Sequence, residues 1–384
     1  MSGGQNRFWD ERSARAAWSR LTEPGDAAAG HYVAELGAGP ALGALLGGHA
    51  PAAQAARWQA RLGALDVRRD LAELERLGGR LIVPADPEWP ASLDDLGDRR
   101  PFCLWARGPH PLAGPGAPER SVAVVGARAS TRYGEQVAAS LAAGVADQGV
   151  VVISGAAYGI DAAAHRGALA VDGPTVAILA GGLDRPYPRG NTRLIERIAA
   201  DGCVVSEVPP GTGPTRWRFL QRNRLIAAHA GASVVVEAAL RSGAATTARE
   251  AAGLGRPVAA VPGPVTSPAS AGCHALLREG VTCVTGADEV LELLAPVGED
   301  LAPRRRGHEA DHDGLDPDQI RVLDALPLRG TCNEPALCRE AGLDPATVRA
   351  CLGILELRQL ARRRDDGWRR AAPRPGPGNG PRAR

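Results

Sequence analysis

Lysine is absent from this chain of 384 residues, and all 45 of its basic side chains apart from histidine are arginines. An ordinary P-loop, Gly-x-x-x-x-Gly-Lys-Ser/Thr, is therefore excluded. Any phosphate contact must come from guanidinium forks, backbone amides or hydroxyls. The chain also lacks a His-Glu-x-x-His helix, a Gly-x-Ser-x-Gly elbow and a Gly-x-Gly-x-x-Gly turn. The common zinc-protease, serine-hydrolase and dinucleotide fingerprints go with them. Seven cysteines are scattered as Cys103, Cys203, Cys273, Cys283, Cys332, Cys338 and Cys351, and none forms a Cys-x-x-Cys pair. Neither a zinc ribbon nor a redox motif is supported, and the thiols read as reduced in a cytoplasmic protein. No metal or cofactor is expected. No apolar run reaches the roughly 18 residues of a membrane span, so no membrane partner is expected. The first residues, Met1 to Asp10, lack the apolar stretch of a secretory signal. A formal net charge of +2 does not by itself announce a polyanion.

What is present falls into segments. Residues 1–76 read as short alanine-rich helices around Trp18, Leu21, Tyr32, Leu42 and Leu45, a helix-hairpin-helix or SAM-like domain. Residues 77–118 read as an extended connecting segment rich in turns, closed by a Pro/Gly cluster. From 119 to 296 the pattern changes. Apolar runs at Val122–Val125, Val150–Ile153, Thr175–Leu179, Cys203–Val205, Ser233–Val236 and Val258–Val261 alternate with alanine-rich helical stretches. Such alternation predicts βαβ units in an α/β, Rossmann-like, doubly wound and mostly parallel sheet, with ligand loops at the strands' carboxyl ends. Residues 297–314 read as a linker. Residues 315–370 regain helical periodicity and end in Gly367-Trp368, which suits a winged-helix-like domain. The tail 371–384 is too rich in Pro, Gly and Arg to order itself, and is expected to be disordered.

Candidate chemistry sits where strands meet helices. After the first parallel strand, Gly126 and Ala127 allow close backbone approach and Arg128 offers a planar phosphate fork. Thr131 either caps the next helix or donates to the same anion. Ser154, Gly155, Ala156 and Gly159 repeat the strand, glycine turn and helix, an arrangement whose amides suit a phosphate. Asp161 and His165 read as a helix-start carboxylate and a packing histidine rather than an acid–base pair. The loop from Gly181 holds Arg185 and Arg189, and Asn191 either caps the next helix or meets the ligand. Arg222-Asn223-Arg224 reads as the opening of a helix. Glu237 reads as orienting a neighbouring arginine, ahead of a Ser242-Gly243 loop. Arg128 and Arg189 are expected as the leading forks, with Arg222 and Arg224 at or behind the rim. Amides after Gly126 and Gly155 are expected to complete the cradle.

In order, these segments resemble the DNA-processing protein A (DprA/Smf) family over about 121–295. The matches are Val124-Val-Gly-Ala-Arg128, Ser154-Gly-Ala-Ala-Tyr-Gly-Ile-Asp-Ala-Ala-Ala-His165, Tyr187-Pro-Arg-Gly-Asn191, Ser206-Glu207, Arg222-Asn-Arg224, Glu237-Ala with Ser242-Gly243, Val261-Pro-Gly263 and Gly272-Cys273. Three places depart from the family pattern. Leu220 stands for its proline, Ala244-Ala-Thr-Thr247 for Ser-Leu-Ile-Thr, and His274 for asparagine. These are expected to alter pocket detail, not the fold. The resemblance implies a non-catalytic protein that binds single-stranded DNA, protects it and delivers a RecA-type recombinase in natural transformation. It also implies a homodimer, with single-strand-binding protein as a further partner. Two other classes stay open. One is a phosphoribohydrolase-like nucleotide enzyme, although that family's Pro-Gly-Gly-x-Gly-Thr loop is absent. The other is a winged-helix transcription regulator, although its recognition helix, Asp344–Arg358, balances Arg349 and Arg358 against Asp344 and Glu356.

Overall fold

The computed structural model describes residues 9–114, 116, 120–296, 298–303 and 312–371. The chain forms two units, residues 1–303 and 304–384.

The first unit opens with helices α1 Glu11–Leu21, α2 Ala27–Leu36, α3 Ala38–Leu46, α4 Ala52–Gln59 and α5 Val67–Arg76. Aspartates start three of them. Asp10, Asp26 and Asp66 accept the amides of Ser13, Ala29 and Arg69, donors that a first helical turn leaves unpaired. Trp18 and Trp58 meet edge to face in the core, with centroids 5.3 Å apart. Trp18 also donates its indole N–H to the Ala38 carbonyl, which satisfies its one polar atom.

The stretch 77–118 supplies two strands, β1 Gly79–Ile82 and β2 Leu104–Arg107. They pair antiparallel with each other, so the segment joins the sheet that follows. From Ser121 strands and helices alternate: β3 Ser121–Val125, α6 Arg132–Asp147, β4 Val151–Ser154, α7 Ile160–Ala170, β5 Thr175–Leu179, α8 Thr192–Asp201 and β6 Cys203–Ser206. The series continues with α9 Arg216–His229, β7 Ala232–Val235, α10 Gly243–Gly253, β8 Val258–Ala260, α11 Ala271–Arg278, β9 Thr282–Cys283 and α12 Ala287–Leu294.

The sheet order is β1-β2-β6-β5-β4-β3-β7-β8-β9. Every pairing from β6 to β9 is parallel, and β2 meets β6 antiparallel. This is the mostly parallel, doubly wound sheet that the sequence predicts. Strand residues alternate between two cores. Val122 and Val124 face α6, α7 and α12, whereas Ala123 and Val125 face α9, α10 and α11. Burial on both faces explains why the strands read as unbroken apolar runs. β3 has β4 on one edge and β7 on the other. The strand order reverses there, and the helices that follow β3 and β7 leave to opposite faces. A crevice therefore opens beyond their carboxyl ends.

The second unit holds α13 Pro317–Ala325, α14 Glu334–Ala341, α15 Pro345–Leu357 and a hairpin of β10 Ala361–Arg364 with β11 Gly367–Arg370. Asp316 and Gln319 form a capping box around Pro317 at the start of α13. Trp368 closes a small core with Val322, Leu337, Val348 and Leu352. Three helices and a wing are the expected winged helix. Residues 297 and 304–311 of the expected linker and 372–384 of the expected disordered tail lie outside the described residues. Among the described residues no helix is long and apolar enough to cross a membrane. All seven cysteines are free. Burial pushes Cys103 and Cys203 up to about 12, which keeps them as unreactive neutral thiols.

Candidate nucleic-acid interface

Beyond β3 and β7 lies a cleft of about 540 Å³. Three pieces of chain build most of it. The loop after β3 brings Gly126, Ala127 and Arg128; the first turns of α9 bring Arg216, Phe219 and Arg222; the start of α10 brings Ser242 and Gly243. Both helices begin at the cleft. Thr215 caps α9 by accepting the Arg218 amide at 3.2 Å, and Ser242 caps α10 by accepting the Ala245 amide at 3.3 Å. Each helix start adds positive partial charge to that of the arginines.

Arg128 is exposed at the mouth, and its guanidinium lies 4.5 Å from the centroid of the Phe219 ring. Tyr187 packs against the same ring at 5.6 Å. Among the described residues Arg128 forms no ion pair, although the buried Asp161 carboxylate of the same cleft feels its charge, so its donors stay available for a ligand. Arg222 makes the floor. It is buried and donates to the Gly155 and Ile178 carbonyls. Burial lowers its pKa to about 10, so it remains cationic at neutral pH. Gly155 is glycine because a Cβ there would stand 1.9 Å from an Arg222 nitrogen.

Arg224 does not line the cleft. It is 1% exposed and pairs with Glu207 at 2.6 Å. The cause is the start of α9. The sequence reading opens this helix at Arg222, whereas it begins at Arg216 under the Thr215 cap. Arg222 and Arg224 are thus mid-helix residues about 200° apart around the axis, on nearly opposite sides. Asn223 lies between them and donates to the Gly243 carbonyl at 3.3 Å, which ties α9 to the start of α10.

Several other candidates shape the cleft from behind. The Thr131 hydroxyl donates to Glu237 at 2.6 Å and accepts the Gly134 amide at 3.2 Å, as the cap of α6. Glu237 also accepts the Thr131 amide at 2.8 Å. It therefore anchors the start of α6 and does not orient an arginine, because β7 delivers it beside the end of β3. Ser154 is buried and donates to the Val124 carbonyl at 2.7 Å. The Ala127 amide goes to the Glu237 carbonyl at 2.7 Å, and the Gly155 amide to Asp161 at 3.1 Å. Both amides are spent inside the protein, and of the two amides expected in the cradle this removes the one after Gly126, that of Ala127. Gly126 is a packing glycine, since a Cβ would stand 2.6 Å from Ile160. Ala156 and Gly159 bend the loop after β4 with φ of 53° and 76°. Asn191 does not cap α8. Its amide donates to the Ala156 and Ala157 carbonyls, both at 3.0 Å, and joins the loops after β4 and β5. Arg189 is exposed on the second of these loops, outside the cleft lining.

Asp161 lines the cleft, and burial raises its carboxyl pKa. His165 is fully buried, with Nδ1 2.8 Å from the Thr175 hydroxyl. Burial pushes its pKa down to about 3, so it is neutral. The two residues have separate partners and form no acid–base pair. Among the described residues no cluster of His, Cys, Asp or Glu could hold a metal ion. The arrangement can bind an anion. Arg216 is a cleft residue that the sequence reading missed, whereas Phe219 opens the segment that holds Arg222-Asn-Arg224 but has no role of its own in that reading. The available signal was Thr215, a capping hydroxyl just before an arginine-rich run.

Residues 80–295 match the family of DNA recombination-mediator protein A, and 307–367 match the DprA winged helix domain. A DNA processing protein DprA of Mycobacterium tuberculosis is 53% identical over 310 residues, covering 78% of this chain and 79% of its own length. The DNA processing protein DprA of Bacillus subtilis is 34% identical over 226 residues, covering 59% of this chain and 75% of its own. The X-ray structure of DNA processing protein A from Streptococcus pneumoniae aligns with a TM-score of 0.60 at 31% identity, covering 72% of this chain and 95% of that one. That of Helicobacter pylori, a protein described for its single-stranded DNA binding mode, aligns at 0.50 and 30% identity, covering 56% and 95%. With its sheet, its winged helix and these matches, the chain belongs to the DprA/Smf family of DNA recombination-mediator proteins.

Proposed function

We propose that this protein binds single-stranded DNA in the cleft beyond β3 and β7, performs no chemistry on it, and helps load a RecA-type recombinase onto the strand during DNA uptake. One observation carries this reading. An open cleft holds Arg128 and Arg216 at its mouth, Arg222 at its floor and two helix starts in its walls. Among the described residues its one lining carboxylate, Asp161, is held by a backbone amide. Such a site suits a phosphate chain. Contacts of this kind position a strand without reading its bases, so sequence preference is weak. The Helicobacter pylori relative binds single-stranded DNA, which agrees with the chemistry of the cleft.

Within the site, Arg128 leads, and Arg189 serves as a second fork on the adjoining loop. Gly126, Ala127, Gly155, Ala156, Gly159 and Asn191 set the loop shapes around the strand. The segments 1–76, 77–118, 119–296 and 315–370 are the working parts, with 297–314 as linker. The protein acts in the cytoplasm as a homodimer, and single-strand-binding protein is a further partner. Sedimentation at micromolar concentration is expected to give a dimer; a monomer throughout removes that part of the reading. The main test is fluorescence anisotropy with one labelled oligonucleotide, single-stranded and as a blunt duplex. Tighter binding of the single strand, falling steeply with salt as counterions are released, is expected. Equal affinity for both forms sinks the proposal. So does release of base from nucleoside monophosphates that disappears in His165→Ala.

A further inference from the structure

Aromatic side chains are few in this chain, yet the exposed ones are not scattered. Among the described residues the exposed aromatics are Tyr133, Tyr158, Tyr187 and Trp217. They follow β3, β4, β5 and β6 in turn, so all four lie at the carboxyl end of one sheet. Trp217 is the most exposed of them, at 54%. Trp18, Trp58, Trp89, Trp105 and Trp368 are all buried. Leaving the largest apolar side chain in water forgoes the free energy of its burial, and its place at the same sheet end as three other exposed aromatics marks a candidate contact surface.

Trp217 stands at the border of two cavities. Its neighbour Arg216 lines the arginine cleft. Trp217 itself lines a second groove of about 470 Å³, formed with Thr22 and Pro24 of the turn after α1, Arg57 of α4 and Arg61 just beyond it. We propose that Trp217 is a base-stacking platform and that its groove is a second subsite for the single strand as it leaves the cleft. This rests on the reading of the cleft given above.

The occupant follows from charge and shape. Arg57 pairs with Asp26 at 2.8 Å, and Arg61 and Arg218 both pair with Glu23. The two arginines that line the groove, Arg57 and Arg61, are matched by its two carboxylates, Asp26 and Glu23, so it offers little net pull on phosphate. What it offers is a flat indole face, which holds any base and prefers none. The two subsites therefore divide the work. The cleft grips the backbone through charge, and the groove grips a base through stacking. A strand too short to span both should not sense Trp217.

The test uses the full chain and two oligothymidylates, one of about four nucleotides and one of about sixteen. Trp217→Ala should weaken the long oligonucleotide about tenfold or more and leave the short one unchanged. Its salt dependence should match the parent's, because no phosphate contact is lost. Trp217→Phe should restore most of the affinity. Arg128→Ala should weaken both lengths. If Trp217→Ala binds both as the parent does, the second subsite is wrong while the cleft stands, and the exposed indole belongs to a protein contact. If it weakens both lengths equally, Trp217 belongs to the cleft and the groove is overturned. If the parent binds neither, the reading of the cleft fails as well.

Discussion

The middle of α9 and the mouth of the cleft hold the same side chain in opposite surroundings. Arg224 is sealed inside the protein against Glu207, with 1% and 9% of the two side chains exposed. Arg128 lies in the open, over the Phe219 ring, and forms no ion pair among the described residues. Arg222 stands between these extremes, buried at the cleft floor yet facing ligand space. The difference teaches that an arginine's job is set by where its helix begins. Two residues along a helix move a guanidinium from a pocket floor to the opposite side. An arginine-rich motif is then partly scaffold and partly site, and only geometry divides it.

The largest effect is expected on the inward side. Arg224→Ala leaves Glu207 as an uncompensated buried charge, which costs about 3–5 kcal/mol. Thermal or denaturant unfolding reads it directly. The double variant Arg224→Met with Glu207→Gln should recover most of that loss, because the stranded charge is gone. A single variant as stable as the parent would contradict the structural role assigned to the pair.

A smaller effect concerns the buried histidines. His165 and His229 have an ordinary pKa of 6.5, lowered by burial to about 3 and about 4 in the folded chain. The unfolded chain takes up their protons below pH 6.5, whereas the folded chain resists. Their contribution to stability is therefore complete above pH 6.5 and is lost as pH falls from there toward 3. Stability measured across that window should decline, and His165→Gln should make the decline shallower. An unchanged slope in His165→Gln would show that His165 is not held neutral. Asp161→Asn sharpens the same contrast at the cleft. It should cost stability through the Gly155 amide and remove no turnover.

How much of this the sequence disclosed differs between the fold and the site. Apolar runs such as Val122–Val125 and Thr175–Leu179 sit between helical stretches, and they disclosed the central sheet because burial on both faces leaves a plain composition signal. The antiparallel strands β1 and β2 were harder. Each has four residues in a stretch crowded with proline and glycine, too short for a period to register. At the site, the loops were located correctly at the ends of strands, since that follows from topology. The roles inside them were not all legible. Glu237 looks like a partner for arginine, but it meets Thr131 because β7 neighbours β3, a long-range fact. Arg224 looks equivalent to Arg222 until the Thr215 cap fixes the start of α9. Trp217 drew no notice because exposure cannot be read from composition.

The outward arginine carries the central claim. Arg128 packs on a ring and forms no ion pair among the described residues, so its loss should leave the unfolding midpoint unchanged. Binding is another matter. A charged hydrogen bond is worth roughly 1.5–3 kcal/mol, or about tenfold and more in affinity. The deciding measurement is the anisotropy titration of a labelled single-stranded oligonucleotide against the parent and Arg128→Ala, repeated over a range of salt. The expected result is a folded variant that binds about tenfold or more weakly, with a salt slope shallower by about one phosphate contact. A folded Arg128→Ala that binds the single strand as tightly as the parent, with the same salt slope, would contradict the placement of the site.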